Sequence, residues 1–284
     1  GEVLSFDSMQ LYKGMDVATA KPTADEMQGI PHHLIDVVDP SKTYSVARFQ
    51  EDAARIIADI RSRGKNVILV GGTGLYLDSF IENLQFLDTG DATEVRARLK
   101  TELESEGPEA MHARLLTIDP EYAEKLHPNN TGRVLRALEI YELTGYTMTN
   151  QIAQSRREPG RYDVCYIGLT AEDRDYLYER INLRVDRMVE NGLLDEARQW
   201  LEERPGATAA QAIGIKEMLP YLAGEDTLEN CTEKLKADTR HYAKRQLTWF
   251  RRNPDVHWLF IDQTPDLAAL TAEALAIIDE EGIF

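Results

Sequence analysis

The chain has 284 residues, of which 43% are apolar and 29% are charged, and its formal net charge is -17. This length and apolar content predict a globular protein with a sizeable core, in one large domain or two modest ones. The acidic balance excludes a general polyanion binder, because nonspecific affinity for nucleic acid comes mostly from Lys and Arg; an anionic partner would need a local basic patch.

Strand-like runs alternate with helical patterns along the chain. The runs cover residues 3–6, 33–38, 66–70, 162–169 and 256–261. A helix is predicted over 45–63, with Ser45 as its N-cap and apolar residues at helical spacing before Gly64. This alternation predicts an α/β fold with a parallel sheet buried on both faces.

The middle of the chain lacks any strand pattern. Residues 92–106, 108–117, 120–126, 131–144 and 147–157 are each typical of a short helix. The simplest account is an all-helical insertion between two strands of one sheet. We therefore predict three segments: a first core part over 1–84, an insertion over 85–160 and a second core part over 161–284. In the last segment, helices are expected to about 191, to 203, over 213–222 and over 227–252.

Two features of the sequence indicate the cellular compartment. The chain has only two cysteines, Cys165 and Cys231, and it has no long apolar run. Free thiols are favoured over a disulfide or a metal ligand, and a membrane span needs about 20 apolar residues. We expect a cytoplasmic protein that does not engage a membrane.

Polar residues follow two predicted strands. Asp7 comes after the run 3–6, and Gly71, Gly72, Thr73 and Gly74 follow the run 66–70. In open α/β sheets, strand ends face the crevice where ligands bind. Asp7 is a candidate base and Thr73 a candidate hydroxyl donor, while Gly71 and Gly72 would let the backbone approach a ligand. A turn or cap role for Asp7, and a tight turn at the glycines, remain the alternatives.

Positive charge is concentrated near the C-terminal end. Residues 234–252 hold seven basic side chains and one acid on an otherwise acidic chain. A basic stripe recurs at about every fourth residue, which places its members near one helix face: Lys236, Arg240, Lys244, Thr248 and Arg251. The stripe indicates contact with a polyanion, although a solvated helix face is the alternative. Core packing is expected for the neighbouring Trp249 and Phe250.

Seven motifs follow one another in order: D-S-M-Q-L-Y-K-G-M-D at 7–16, T-A-K-P at 19–22, P-H-H-L-I-D at 31–36, L-V-G-G-T-G-L-Y at 69–76, R-A-L-E at 136–139, Q-A-I-G-I-K-E at 211–217 and A-K-R-Q-L-T-W-F-R at 243–251. In this order they resemble the bacterial tRNA dimethylallyltransferases. The resemblance implies a nucleotide-kinase-like core of the P-loop NTPase type with a helical insertion. It also implies transfer of a dimethylallyl group from dimethylallyl diphosphate to N6 of the adenine next to the anticodon of tRNA, position 37, with release of diphosphate and with Mg²⁺ assisting.

Residue roles follow from the same resemblance. Asp7 matches the general base, in a segment with Ser8, Met9 and Gln10 that touches the target base. Thr73 matches a threonine near the reaction channel, and Arg184 matches an arginine that holds the diphosphate. The matches to tRNA-contacting or other substrate-site positions are Gly71, Gly72, Arg96, Gly132, Arg133, Arg136, Gln211, Gly214, Lys216, Lys244, Arg245, Gln246 and Arg251. A smaller departure, Ala18 in place of glycine, is expected to matter little.

One departure from the family pattern is larger. The family's G-x-x-x-x-G-K-[S/T] loop, which wraps the diphosphate, does not occur in these residues. We expect an N-terminal segment of roughly 30 residues to be missing, judged from the length of a strand-loop-helix unit. Without it, we expect an inactive chain that lacks one sheet strand.

Two rival functions remain open. In the first, the acceptor of the dimethylallyl group is free AMP or ATP. The helical insertion and the basic helix argue against it, because a mononucleotide does not require them. The other is a non-catalytic RNA-binding module, favoured by the missing phosphate loop. A metal site at His32, His33 and Asp36 is rejected, because no further Cys or His with metal-ligand spacing accompanies them. A monomer is expected.

Overall fold

The computed structural model describes residues 1–87, 89–202 and 205–283. The chain forms two compact units: residues 1–80 with 162–283, here called the core unit, and Ile81–Arg161, here called the helical unit. The strands are β1 (Glu2–Ser5), β2 (His32–His33), β3 (Val67–Val70), β4 (Tyr166–Thr170) and β5 (Val256–Phe260). The α-helices are α1 (Ala24–Met27), α2 (Val46–Ser62), α3 (Gly74–Ile81), α4 (Thr93–Glu106), α5 (Pro108–Ile118), α6 (Pro120–Ala123), α7 (Thr131–Thr144), α8 (Met148–Ser155), α9 (Arg174–Glu190), α10 (Leu193–Glu202), α11 (Leu219–Leu222), α12 (Leu228–Phe250) and α13 (Leu267–Glu281), and a 3₁₀ turn covers Ala209–Gln211.

Parallel pairing, predicted from the α/β alternation, is confirmed. β1 lies between β2 and β3 and is parallel to both, and β4 pairs in parallel with β5. The prediction of one sheet is wrong for the described part of the chain, where the strands form a three-stranded and a two-stranded sheet. Sequence patterns identify strands but do not specify which of them are neighbours.

Three predicted elements have different bounds. The run 33–38 is a strand only at His32–His33, because Leu34 and Asp36 have φ of 60° and 55° and turn the chain away. The run 162–169 begins to pair only at Tyr166, and the Tyr162 ring at its start stacks on Phe80 at 5.2 Å. The helix predicted over 213–222 is a series of turns followed by α11, and Gly214 has φ of 113°. The predicted helix end at Glu203 lies outside the described residues.

The long helices have recognisable ends and apolar faces. Ser45 accepts the backbone N–H of Arg48 and begins α2, whose buried face consists of Phe49, Ala53, Ile57 and Ile60. Thr227 caps α12 in the same way through Asn230. Such a cap satisfies one of the backbone donors left free in the first turn. Within the described ranges, no helix combines the length and the apolar character that a membrane span requires.

The helical unit has its own core. Leu99, Met111, Leu115, Val134 and Leu138 are almost completely buried against one another. They come from α4, α5 and α7, so this unit buries its apolar surface by helix-on-helix packing.

Candidate active site

Asp7 follows β1, where the chain leaves the sheet. Its Oδ1 accepts the backbone N–H groups of Met9 at 2.8 Å and of Gln10 at 3.3 Å. The side chain therefore has the turn role that the sequence left open as an alternative. No hydrogen bond among the described residues engages its second oxygen, Oδ2. One side of the carboxylate is thus available to accept a proton.

The loop after β3 packs directly on the Asp7 segment. A Cβ atom at Gly71 would lie 2.9 Å from the backbone nitrogen of Asp7, so only glycine allows this approach. Thr73 Oγ1 accepts the Ser8 backbone N–H at 3.0 Å and donates to Ser8 Oγ at 3.1 Å. The two strand ends therefore meet, and the space that Gly71 leaves is filled by the protein's own backbone rather than by a ligand.

Helix α12 closes the other side of this loop. Gln246 Nε2 donates to the carbonyl of Gly72 at 3.0 Å, and Trp249 Nε1 donates to Asp78 Oδ2 at 2.8 Å. Trp249 is thus packed against α3, as expected of a core residue. Gln246, predicted to contact substrate, has a structural contact to the loop.

Arg184 lies on α9 and is exposed to solvent. Burial by surrounding protein nonetheless lowers its pKa, while the nearby charge of Asp7 raises it. The Arg184 guanidinium is thus partly surrounded by protein and lies close enough to Asp7 to interact with its charge. It makes no hydrogen bond or ion pair with the part of the chain that the structure describes. A cation that is partly surrounded by protein and has no partner there suits the binding of an anion.

The structure adds to the site two tyrosines that the sequence analysis did not identify. Burial and the charge of Asp7 raise the pKa of Tyr242, which lies near Thr73 and Gln246. Burial, Tyr12 and Asp7 raise the pKa of Tyr76. Both hydroxyls therefore stay protonated at neutral pH. The hydroxyl of Tyr76 donates to the backbone carbonyl of Tyr44 at 3.5 Å, which leaves Tyr242 as the candidate donor to a ligand. Tyr242 and Gln246 are four residues apart, so helical spacing could have identified Tyr242.

The segment 211–217 is held partly inside the core unit. Gly214 is buried, and its backbone N–H donates to Glu217 Oε2 at 2.8 Å. Burial raises the pKa of Glu217, which lies 3.7 Å from Lys216 Nζ. Gln211 and Lys216 are exposed and free to meet a large partner.

The basic stripe is only partly exposed, which corrects its reading as one continuous face. Lys236 Nζ lies 2.8 Å from Asp186 and 2.9 Å from Glu233, and its side chain is only 15% exposed. Arg240 donates to Asn182 Oδ1 at 2.6 Å. These two residues join α12 to α9, a pairing that the helix period alone did not reveal. The exposed remainder of the stripe consists of Lys244, Thr248 and Arg251, and the neighbouring Arg245 is exposed as well.

The predicted substrate residues of the helical unit lie on α4 and α7. Gly132 and Arg133 are exposed in the first turn of α7. Arg96 donates twice to buried Glu139, at 2.8 Å and 2.9 Å, and Arg136 pairs with the same carboxylate. Burial raises the pKa of Glu139, but its bonds to the two arginines outweigh this effect and lower it. Arg96 and Arg136 therefore have structural partners, and their contact with substrate stays a prediction.

No group of three or more His, Cys, Asp or Glu side chains that could hold a metal occurs in the described ranges. His33 instead lies 2.8 Å from Glu2, and Asp36 pairs with Lys21. The residues that the structure describes therefore form no dedicated Mg²⁺ site.

Comparison with known proteins places the chain in a family. Residues 10–253 match the family model described as IPP transferase. The chain belongs to the IPP transferase family. This family member is 50% identical to the tRNA dimethylallyltransferase of Halalkalibacterium halodurans over 259 residues, which is 91% of this chain and 82% of the relative. It is 44% identical to that of Carboxydothermus hydrogenoformans, with 100% and 90% covered.

Solved structures agree with the family assignment. The full-length tRNA isopentenylpyrophosphate transferase of Bacillus halodurans matches with a TM-score of 0.69 and 44% identity, over 99% of this chain and 89% of that one. A eukaryotic dimethylallyltransferase acting on tRNA matches with a TM-score of 0.78 and 34% identity, over 97% and 72%. The mixed α/β fold with parallel sheets is thus shared with tRNA isopentenyltransferases.

Proposed function

We propose that this IPP transferase family member transfers a dimethylallyl group from dimethylallyl diphosphate to N6 of the adenine next to the anticodon of tRNA, position 37. The relatives' names support the reaction and the tRNA acceptor. The observation that carries the proposal is the contact of the Asp7 turn with Thr73, made through the Ser8 backbone N–H. Tyr242 lies near this contact, and so does Arg184, which has no partner among the described residues.

The chemistry requires a base, because the adenine amino lone pair is delocalised into the ring. As N6 attacks the allylic carbon, the carbon–oxygen bond to diphosphate breaks and its electron pair leaves with the diphosphate. Asp7 accepts the N6 proton through Oδ2 while Oδ1 stays bonded to Met9 and Gln10. The turn thus fixes the direction of the base.

Negative charge builds on the departing diphosphate. Arg184, whose pKa is lowered by burial and which has no partner among the described residues, would supply a cation there. The hydroxyl of Tyr242 remains protonated and could donate a hydrogen bond in the same region.

In this proposal Mg²⁺ would arrive bound to the substrate diphosphate. Because the described residues offer no cluster of three ligands, the ion would depend mainly on diphosphate oxygens, as Mg²⁺ commonly does. No step above is assigned to it. The upstream phosphate loop, and inactivity without it, stay predictions that the relatives do not support.

Contact with tRNA would involve exposed residues of both units. The candidates are Gly132, Arg133, Gln211, Lys216, Lys244, Arg245 and Arg251. The base must leave the anticodon loop to reach Asp7, at a cost of a few kcal/mol, which phosphate contacts could offset.

One substitution separates the role of Asp7 as a base from its role as a hydrogen-bond acceptor in the turn. Asp7→Asn keeps an Oδ1 acceptor for Met9 and Gln10 but cannot take a proton. Dimethylallyl transfer to an anticodon stem-loop should fall by about 10²–10⁴ in kcat, with affinity for the stem-loop nearly unchanged. Asp39→Asn is the matched control, because Asp39 Oδ1 accepts the Ser41 N–H at 2.9 Å in a similar turn away from the site.

Three results would contradict the proposal. They are no transfer by the wild-type chain, equal losses of turnover and affinity in Asp7→Asn, or faster transfer to free AMP than to the stem-loop. The last result would keep the chemistry but change the acceptor.

A further inference from the structure

Glu196 makes an unusual set of contacts with a distant loop. It lies in the first turn of α10, and its carboxylate accepts three successive backbone N–H groups. Oε2 accepts from Asp16 at 2.7 Å and from Val17 at 2.6 Å, and Oε1 accepts from Ala18 at 2.8 Å. Successive N–H groups that converge in this way form an anion-binding nest, and hydrogen bonds to a charged acceptor are the strong ones. The nest is therefore filled by a carboxylate from elsewhere in the chain.

The loop that Glu196 holds is connected to the Asp7 segment. Gln10 Nε2 donates to the carbonyls of Thr19 at 3.2 Å and Ala20 at 3.4 Å. Gln10 Oε1 accepts from Ser5 Oγ at 3.2 Å, and Ser5 Oγ in turn accepts the backbone N–H of Asp7 at 3.3 Å. The backbone from Ala18 to Ala20 and these hydrogen bonds thus connect the nest to the backbone of the candidate base.

The other end of the connection lies on α10. This helix packs against α9, which carries Arg184. Glu196 therefore joins the element beside the candidate diphosphate cation to the loop beside the candidate base. Neither the family motifs nor the helix period indicated this residue.

We propose that Glu196 is a positioning residue of the transfer reaction: its carboxylate fills the three-amide nest at 16–18 and so holds Gln10 and Asp7 in line with Arg184. This role rests on the proposed function. Misplacing a reacting group by about 1 Å can lower a rate by about 10²-fold, so a loose 16–20 loop should lower turnover more than substrate binding.

The experiment compares two neighbouring acids. In Glu196→Ala, kcat for transfer to the stem-loop should fall by about 10-fold to 10²-fold, with the KM for dimethylallyl diphosphate within about threefold of wild type. Asp195→Ala is the matched control, because Asp195 has the same charge in the same turn but an exposed side chain that pairs only with Arg198 within the described residues. Its turnover should remain at the wild-type level.

The nest predicts chemical rescue. Acetate should enter the vacated nest of Glu196→Ala and restore part of the lost kcat, whereas chloride at equal ionic strength should not. Glu196→Gln, which keeps one acceptor oxygen, should retain an intermediate kcat and provides the measurement if the alanine variant does not fold. A kcat of Glu196→Gln equal to that of wild type, or a defect in Glu196→Ala that acetate does not relieve, would overturn the role.

Hydrogen exchange separates this outcome from failure of the proposed function. The amides of residues 16–18 should be protected in wild type and exposed in Glu196→Ala whether or not the chain transfers dimethylallyl groups. Protected amides in an inactive wild type would refute the function while leaving the nest intact. Unchanged protection in Glu196→Ala would refute the nest itself.

Discussion

Gly74→Ala is expected to destabilise the core unit through one specific collision. A Cβ atom at Gly74 would lie 2.2 Å from Trp249 Cδ1 and 2.3 Å from Trp249 Nε1. Contacts under 3.0 Å essentially never occur for real Cβ atoms, so the indole ring must move. Moving it breaks the 2.8 Å hydrogen bond from Trp249 to Asp78.

The expected magnitude comes from two contributions. Overpacking a well-packed site costs about 1–3 kcal/mol, and loss of a hydrogen bond to a charged group costs about 1.5–3 kcal/mol. Alanine regains up to about 1 kcal/mol of helix propensity at the start of α3. We expect the free energy of unfolding to fall by about 2–4 kcal/mol.

A double-mutant cycle in urea, followed by circular dichroism, measures this coupling. Because Trp249→Ala removes the ring, Gly74→Ala should cost almost nothing in that background. Gly132→Ala is the control for a glycine in a first helical turn, since nothing lies within 4 Å of its Cβ position. A coupling energy below about 0.5 kcal/mol, the usual error of additivity, would refute the collision.

Two further predictions concern buried carboxylates. Arg63, Lys65 and His33 hold the pKa of Glu2 well below its ordinary 4.5, so the stabilisation is present above that pH and is lost as pH falls towards the folded-state pKa. The difference in unfolding free energy between wild type and Glu2→Gln, measured in urea from pH 7 to pH 3, should shrink below about pH 4.5; a constant difference would contradict the cause. Glu139→Gln should lower the stability of the helical unit by about 1.5–3 kcal/mol, because it weakens charge-assisted bonds to a buried acceptor. Glu121→Gln, at an exposed pair with Lys125, should change it by only a few tenths of a kcal/mol, and equal effects in thermal unfolding would refute the difference.

The site was predictable where a residue's role is local. Asp7 and Thr73 each follow a strand, and parallel strands end at the same edge, so their neighbourhood could be inferred without coordinates. Tyr242 could also have been found, because it lies four residues before Gln246 on α12. Glu196 could not, because its three contacts join positions 178 to 180 residues apart in the chain.

The order of residues alone determined the α/β class, the run of helices between the third and fourth β-strand regions, and the resemblance to a family. These depend on hydrophobic period and on short motifs, which are properties of neighbouring residues. Only the tertiary structure decided that Lys236 and Arg240 of the basic stripe bind α9, the first by an ion pair and the second by a hydrogen bond. It also decided that Trp249 packs under Gly74 and that Glu196 holds the 16–20 loop. Each of these depends on which surfaces meet when distant elements pack, and the pattern within one element does not specify its partner.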